Sequence, residues 1–403
     1  MIAAALAPLR ALWGRSRRRC AQALEVAAPA LACAWRARRE RQRRKLELAR
    51  LRATYEEGVR QGGLRRGIVP RAVHHELTSR CNLSCGMCYQ TDWRAASPRL
   101  ELDVEALHEI HARLLPRRAV LVGSEVLLHP RFFEIADELA SSGCELHLLT
   151  NGTLIDEARA PRLLALRSLR AVILSIDGPR EVHDAIRGGK AAFDRAIRGV
   201  ELLRKQVELA LHCVLQPANL ASAHEVLDIA HAHGVRSVHY GFLYAYTAAE
   251  VEATHALLER ELGWKRDEVE LAITTGDGLG FGVAELRACI ERIEARAREL
   301  GLHASFTPPE FREHLEAYVD GTLHVGRRLA CRDLLEPDDL RIDPRGKLVP
   351  CAVIKKDLGD ARSCDPAQLA NSAERRAFAK LVHEQNLLPI CRRCCRATVL
   401  PER

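Results

Sequence analysis

Six short apolar runs alternate with helical segments between residues 71 and 306, and this alternation limits the possible fold more than any other feature. The strand-like runs are Ala72–Thr78, Ala119–Val122, Glu145–Thr150, Ala171–Ile176, Glu208–Leu215 and Val235–Phe242. The segments with apolar residues at helical spacing are Leu102–Leu115, Pro130–Ser141, Glu157–Leu166, Ala191–Lys205 and Leu220–His233. This order predicts an α/β fold with a parallel sheet, in which ligands bind at the carboxyl ends of the strands.

Three cysteines, Cys81, Cys85 and Cys88, follow the first predicted strand in one tight loop. Four cysteines usually hold a [4Fe-4S] cluster, so three leave one iron open to a substrate or cofactor. Clustered cysteines also bind Zn²⁺, for which His74 or His75 would have to supply a fourth ligand. The trio therefore predicts a metal centre, either an iron-sulfur cluster with an open iron or a zinc site.

Further polar motifs stand where the next predicted strands end. They are Gly123-Ser124-Glu125-Val126 after the second strand, Thr150-Asn151-Gly152 after the third, Ser175-Ile176-Asp177-Gly178 after the fourth, and His183-Asp-Ala-Ile-Arg187-Gly188 a little later. Each motif alone also suits an ordinary turn or helix cap. Together they place acceptors and one guanidinium beside the cysteine loop.

The cysteine trio and these motifs, in this order, resemble the radical S-adenosylmethionine (SAM) superfamily. The resemblance implies a partial (β/α)6 TIM-like barrel over residues 71–306, with a [4Fe-4S] cluster at the trio and SAM bound to its open iron. In that superfamily the reduced cluster passes one electron to SAM, and the resulting 5′-deoxyadenosyl radical removes a hydrogen atom from the substrate. A separate electron donor such as flavodoxin or ferredoxin is implied as a partner.

The resemblance also implies a SAM contact for each loop. The contacts are Gly123, Ser124 and Glu125 for the amino group, Ser175 and Asp177 for the ribose hydroxyls, Arg187 for the carboxylate and Met87 for the adenine. The superfamily commonly has Gly-Gly-Glu-Pro where this chain has Gly-Ser-Glu-Val, so we expect binding to be retained with an altered loop. A forked guanidinium suits a carboxylate, and a thioether packs well against a ring.

A second set of cysteines lies near the carboxyl terminus. Cys331 precedes a hairpin-like stretch that ends at Cys351, and Cys391 and Cys394 follow a helical segment. Four thiolates on two separated turns suit one closed site. The spacing resembles the opening of a SPASM domain in its shortened twitch form, which implies a small auxiliary domain over residues 307–403 with one auxiliary [4Fe-4S] cluster. Cys395 is an alternative to Cys394 as a ligand, and a structural zinc is the alternative metal.

Residues 244–282 lie between the sixth predicted strand and the next helix, and they include two tyrosines and a glycine-rich loop. This stretch lacks the Lys and Ser or Thr of a phosphate-binding P-loop. Its place at the mouth of the predicted barrel makes it a candidate lid over the substrate.

Residues 1–71 carry 18 Lys or Arg and 5 acidic residues, a net charge of +13, although the whole chain has a net charge of +8. We predict a basic helical extension over residues 1–70 that contacts an anionic membrane surface, with a solvated arm as the alternative. Scarce aromatic residues in this stretch argue against nucleic-acid binding. The chain has 14 cysteines and no recognisable secretory signal, which favours the cytoplasm, with peripheral membrane contact through the extension.

Two classes of function follow. The first is a radical SAM oxidoreductase or maturase that dehydrogenates, cross-links or otherwise matures a peptide or small metabolite. The second is a non-catalytic or redox-sensing iron-sulfur protein that binds a membrane, RNA or partner through its basic arm.

Overall fold

A computed structural model describes residues 72–96, 99–114, 116–335 and 339–400. Its strands are β1 (Ala72–Glu76), β2 (Arg118–Val122), β3 (Glu145–Thr150), β4 (Leu169–Ser175), β5 (Glu208–Leu215), β6 (Ser237–Phe242), β7 (Val269–Leu271), β8 (His303–Thr307), β9 (Leu329–Cys331), β10 (Asp339–Ile342), β11 (Ile354–Lys356) and β12 (Ala397–Val399). All six predicted strands are present, and β3 and β5 have the predicted bounds.

The α-helices lie mainly between the strands. They are α1 (Thr91–Ala96), α2 (Val104–Leu114), α3 (Phe132–Ser141), α4 (Arg159–Ala165), α5 (Arg180–Arg187), α6 (Ala192–Leu203), α7 (Glu225–Ala232), α8 (Ala248–Leu262), α9 (Val283–Leu300), α10 (Pro309–Glu313), α11 (Leu315–Val319), α12 (Arg332–Leu335), α13 (Pro366–Ala370) and α14 (Ala373–Glu384). Short 3₁₀ turns occupy Val126–Leu128, Arg266–Glu268 and Pro389–Cys391. Helix α5 is absent from the sequence prediction, which treated its residues as a loop motif.

The main sheet has eight strands in the order β10-β1-β2-β3-β4-β5-β6-β8, and every neighbouring pair is parallel. Alternate residues of these strands, such as Val73, Leu121, Leu148 and Leu174, are fully or almost fully buried in the apolar core. The sheet therefore confirms the α/β fold of flanked parallel strands that the sequence predicts. The carboxyl ends of β1 to β5 meet at one edge, where the cysteine loop and the polar motifs lie.

Two strands extend the sheet beyond the six that the sequence predicts. Strand β8 pairs with β6, and β10 pairs with β1 although about 270 residues separate them, with Ala72 opposite Asp339. The hairpin-like stretch predicted after Cys331 is present: Ile342 bridges Leu348, and backbone N–H groups of Asp343 and Val349 donate to carbonyls of the opposite arm. Its first arm also joins the main sheet. Both additions satisfy backbone groups that would otherwise be left at the edges of β1 and β6.

The candidate lid, residues 244–282, contains a helix and a strand, and it packs against the carboxyl-terminal region. Helix α8 begins with a capping box at Thr247, and β7 pairs in antiparallel fashion with β11 of the carboxyl-terminal region. Trp264 stacks on Phe378 with ring centroids 5.3 Å apart. The segment thus joins the barrel to the carboxyl-terminal region.

The basic extension and its predicted membrane contact lie outside the described residues. Within the part of the chain that the structure describes, no helix has the length and apolar composition needed to cross a membrane.

Candidate active site

The cysteine loop leaves the end of β1 and is fastened to the end of helix α5. The backbone N–H of Ser84 donates to the carbonyl of Arg187 at 3.2 Å, and that of Gly86 donates to the carbonyl of Ile186 at 3.1 Å. Gly188 ends the helix with a φ of 62°, and a Cβ at this position would lie 2.7 Å from the Ser84 carbonyl oxygen. Glycine is needed here both for the left-handed conformation and for the close approach of the loop.

A buried ion pair lies directly behind the cysteines. Arg187 Nε donates to Asp177 Oδ2 at 2.5 Å, and Arg187 Nη1 lies 3.8 Å from Cys85 Sγ. The Asp177 side chain is fully buried, and its Oδ1 accepts from the backbone N–H of Val214 at 3.0 Å. Burial lowers the pKa of Arg187, but Asp177 and Cys85 outweigh this effect and raise it overall. The guanidinium is therefore held charged and aimed at the cysteine loop.

This ion pair gives Asp177 a structural role. Each of its carboxylate oxygens accepts one hydrogen bond from the protein, and the bond from Arg187 means that Asp177 orients the guanidinium. The predicted contact of Asp177 with the ribose of SAM stays a prediction. Ser175, at the end of β4, is partly exposed opposite His212 on β5, and its contact with the ribose stays a prediction.

Glu125 joins the loops that follow β2 and β3. Its Oε1 accepts from Thr150 Oγ1 at 2.7 Å, and its Oε2 accepts from the backbone N–H of Asn151 at 2.8 Å. Burial raises the pKa of Glu125, and these hydrogen bonds only partly oppose that rise. The Glu125 carboxylate thus uses most of its lone pairs in hydrogen bonds that connect the loops after β2 and β3. One lone pair of Oε2 is left to accept from an ammonium group.

Gly123 and Ser124 lie against the strand that leads into the cysteine loop. Gly123 has a φ of 117°, and a Cβ there would come within 3.3 Å of the Thr78 carbonyl oxygen. The Ser124 hydroxyl is buried and has no hydrogen-bond partner among the described residues. An unpaired buried hydroxyl at this point is consistent with a missing polar ligand.

An amide network also fastens the cysteine loop to the loop after β3. Asn82 Nδ2 donates to Thr153 Oγ1, and Asn151 Nδ2 donates to Asn82 Oδ1, both at 2.9 Å. Asn151 belongs to a sequence motif to which no role was assigned, and the roles of Asn82 and Thr153 were not predicted. The signal in the sequence is the presence of short polar side chains directly after two strands. Met87 lies half-buried in the same loop.

Four of the carboxyl-terminal cysteines converge on one cavity. Cys331, Cys351, Cys391 and Cys394 line it, and Cys395 does not. Backbone N–H groups point at two of the sulfurs, from Ile354 to Cys351 at 3.3 Å and from Arg396 to Cys394 at 3.4 Å. The geometry favours Cys394 over Cys395 as the fourth ligand.

Buried charge around this cavity suits an anionic occupant. Burial raises the pKa of the thiols of Cys331 and Cys391, the latter to about 12, so the thiolate forms need nearby positive charge or metal. Arg375 is 2% exposed and lies behind the cavity wall, where its guanidinium donates to the carbonyls of Ala370 and Asp333. Its positive charge interacts with the Asp333 carboxylate and with Cys331, so part of it offsets the negative charge of a thiolate.

Aromatic rings fill the space between the two cysteine sites. Tyr89, next to Cys88 in the chain, contacts Tyr244 edge-on at 5.2 Å between ring centroids. Tyr244 lies 6.2 Å from Tyr246, which lines the four-cysteine cavity. The two sites are therefore connected through a short series of packed rings.

Comparisons with known proteins agree with this geometry. The family model for the radical SAM superfamily matches residues 75–230. The chain is 30% identical over 247 residues to the AdoMet-dependent heme synthase of Methanosarcina barkeri, which covers 58% of this chain and 70% of that enzyme. The chain belongs to the radical SAM superfamily. It is also 25% identical to the PqqA peptide cyclase of Gluconobacter oxydans, with 70% of each chain covered.

Two solved structures share the fold. SuiB of Streptococcus suis bound to the precursor peptide SuiA has a TM-score of 0.56 at 14% identity, covering 80% of this chain and 68% of SuiB. The structure of anSMEcpe with bound AdoMet also has a TM-score of 0.56, at 19% identity, covering 77% of this chain and 80% of that one. As a radical SAM protein the chain is an enzyme that uses a [4Fe-4S] cluster and SAM, which argues against the non-catalytic alternative.

The ligand geometry also bears on the zinc alternative. Within the described ranges, no three His, Cys, Asp or Glu side chains are arranged to hold a single metal ion. His75, one of the two candidate fourth ligands, instead lies 2.7 Å from His111 between their Nε2 atoms, in a buried contact with helix α2. His74 lines a separate polar pocket with Asp333 and Arg341. Neither histidine completes a zinc site with the trio.

The remaining described cysteines divide by burial. Cys144, Cys213 and Cys289 are buried, as expected of small apolar residues, whereas Cys364 is exposed. Cys20 and Cys33 lie outside the described residues.

His212 is a residue of the site that the sequence did not predict. It lies on β5 near Asp177 and Arg187, and burial lowers its pKa to about 4. Its neutral ring is a polar group at the site near pH 7.

Proposed function

We propose that this radical SAM enzyme is an oxidoreductase or maturase that removes a hydrogen atom from a peptide or small metabolite. When bound at Cys81, Cys85 and Cys88, the [4Fe-4S] cluster supplies the electron that cleaves SAM to a 5′-deoxyadenosyl radical. The observation that carries the proposal is the position of Arg187, held by Asp177 and directed at Cys85. A fixed guanidinium beside an open iron suits the carboxylate of SAM.

The chain's own residues would bind and orient SAM. Arg187 takes the carboxylate, and the Ser124 hydroxyl together with the free lone pair of Glu125 takes the amino group. The Ser175 hydroxyl forms a hydrogen bond with a ribose hydroxyl, and Met87 packs against the adenine. Gly123 allows the backbone of this loop to approach the ligand closely.

We further propose that Cys331, Cys351, Cys391 and Cys394 hold an auxiliary [4Fe-4S] cluster. Four thiolates, two of which accept from backbone N–H groups, and a buried guanidinium that interacts with Cys331 suit such an anionic group. Such a cluster would accept an electron from the substrate radical that hydrogen abstraction leaves, or would orient the substrate, and a domain over residues 307–403 would contain it.

Two kinds of relative support the substrate class. The names of the curated relatives include heme synthases and a peptide cyclase, and SuiB was solved with a precursor peptide. We therefore propose a peptide or small-molecule substrate, with flavodoxin or ferredoxin as electron donor. We also propose a cytoplasmic location with peripheral contact to an anionic membrane surface. Residues 1–70 would make this contact, because residues 1–71 carry a net charge of +13.

Single cysteine substitutions test the two proposed clusters separately. After anaerobic reconstitution with iron and sulfide, Cys85→Ala should lose the SAM-responsive electron paramagnetic resonance (EPR) signal and about four irons, and Cys394→Ala should lose the other signal. Cys395→Ala is the matched control for Cys394→Ala and should keep both signals. Loss of the second signal in Cys395→Ala but not in Cys394→Ala would overturn the ligand set.

A further inference from the structure

Tyr246 carries a buried hydroxyl for which the described residues provide no hydrogen-bond partner. The residue is 2% exposed and lines the four-cysteine cavity. Buried polar groups are nearly always paired, so an unpaired hydroxyl on a cavity wall points to a ligand in that cavity. The rest of the cavity wall near the cysteines is mainly apolar, with Val353, Ile354 and Ile390 among its residues.

Other buried tyrosines show that the chain normally pairs this group. The Tyr240 hydroxyl donates to the carbonyl of Ala223 at 3.1 Å, and the Tyr318 hydroxyl donates to the carbonyl of Leu243 at 2.8 Å. The one carboxylate on the cavity wall, Asp333, already accepts from Arg396 Nε at 2.5 Å. The sulfur atoms of a bound cluster and its cysteine ligands are therefore the acceptors best placed for Tyr246.

We infer that the Tyr246 hydroxyl donates a hydrogen bond to a sulfur of the auxiliary cluster and raises the reduction potential of that cluster. The inference rests on the proposed function, because it requires that Cys331, Cys351, Cys391 and Cys394 hold a [4Fe-4S] cluster. A hydrogen bond to sulfur stabilises the more negative, reduced state, and this is one of the means by which proteins set cluster potentials. Tyr246 is thus a positioning and tuning residue and not a ligand.

The test is Tyr246→Phe in the full-length enzyme reconstituted with both clusters, because this substitution removes only the hydroxyl oxygen and its hydrogen. EPR-monitored redox titration should show a shift of the auxiliary cluster to a more negative potential, with the iron content and the potential of the SAM-binding cluster unchanged. Tyr240→Phe and Tyr318→Phe are matched controls, since each removes a hydroxyl bonded to a backbone carbonyl. Neither control should shift the auxiliary cluster.

The outcomes separate this inference from the proposed function. An auxiliary potential in Tyr246→Phe equal to that of the wild type and the controls would overturn the tuning role alone. Equal shifts in the reduction potentials of both clusters would also overturn the tuning role. Loss of auxiliary iron from Tyr246→Phe, but not from the controls, would overturn it in favour of a role in cluster assembly. A wild-type enzyme with no auxiliary cluster, when its SAM-binding cluster is intact, would overturn both the inference and the auxiliary part of the proposed function.

Discussion

At the scale of single residues, the site depends on the Arg187 guanidinium, which contacts both Asp177 and Cys85. Arg187 uses Nε for Asp177 and directs Nη1 towards Cys85, so its remaining N–H groups are available to a ligand at the open iron. A lysine in its place would keep the positive charge and lose the fork. The geometry of the guanidinium and not its charge alone should therefore set the affinity for SAM.

We expect Arg187→Lys to bind SAM about 10- to 100-fold more weakly, because a charged hydrogen bond is worth about 1.5–3 kcal/mol. Equilibrium binding to the reconstituted enzyme measures this change, with iron content checked in parallel. Arg180→Lys is the control, since Arg180 belongs to the same helix and its ion-pair partner, Asp194, is exposed. Wild-type SAM affinity in Arg187→Lys would show that the guanidinium does not contact SAM.

Single residues also show where sequence reasoning stops. The spacing of Cys81, Cys85 and Cys88 was sufficient to predict the metal centre, because three ligands in one loop must lie together. The inward pairing of Asp177 with Arg187 was not predictable, because ten residues and an unrecognised helix separate them. A carboxylate at a strand end suits a ribose and a guanidinium equally well, and only the fold shows that Arg187 is a partner of Asp177.

At the scale of elements, the helix that ends at Arg187 holds the cysteine loop in place. The loop has two backbone hydrogen bonds to the last turn of α5, and Gly188 leaves room for Ser84. The helix was missed because its sequence, Arg-Glu-Val-His-Asp-Ala-Ile-Arg, has few apolar residues. By contrast, β3 and β5 were predicted to the residue, since their apolar runs are bounded by clear changes in composition.

Gly188→Ala should reduce the iron bound at the trio, because the new Cβ would force Ser84 and the cysteine loop to move. Gly263→Ala is a closely matched control: Gly263 also ends a helix, with a φ of 67°, and a Cβ there meets nothing within 4 Å. Both variants should lose about 1–2 kcal/mol of stability from the left-handed conformation. Iron analysis and thermal unfolding separate the effects, and equal iron content in the two variants would refute the role of this contact.

At the scale of the whole molecule, a buried ion pair joins the barrel to the carboxyl-terminal region. Lys355 of β11 donates to both carboxylate oxygens of Glu76 of β1 at 2.7 Å, and the ammonium group is fully buried. Burial raises the pKa of Glu76, but Lys355 and Arg341 outweigh it and lower the pKa overall. The sequence did not predict this contact, since nothing local indicates a partner 279 residues away.

Lys355→Met should destabilise the protein by about 3 kcal/mol, because it leaves a buried carboxylate without its main partner. Lys356→Met removes a neighbouring lysine whose partner Glu268 is exposed, and it should cost less than about 1 kcal/mol. Urea unfolding followed by circular dichroism measures both. The double variant Glu76→Gln with Lys355→Met should regain part of the loss, and equal stabilities of the two single variants would contradict the account.

The most direct test of the central claim is anaerobic reconstitution of the full chain, followed by reduction with dithionite in the presence of SAM. We predict about eight irons per chain and formation of 5′-deoxyadenosine, and in Cys88→Ala about four irons and no 5′-deoxyadenosine. Undiminished SAM cleavage in Cys88→Ala, or a fully loaded wild-type enzyme that forms no 5′-deoxyadenosine, would contradict the assignment of this loop as the catalytic centre.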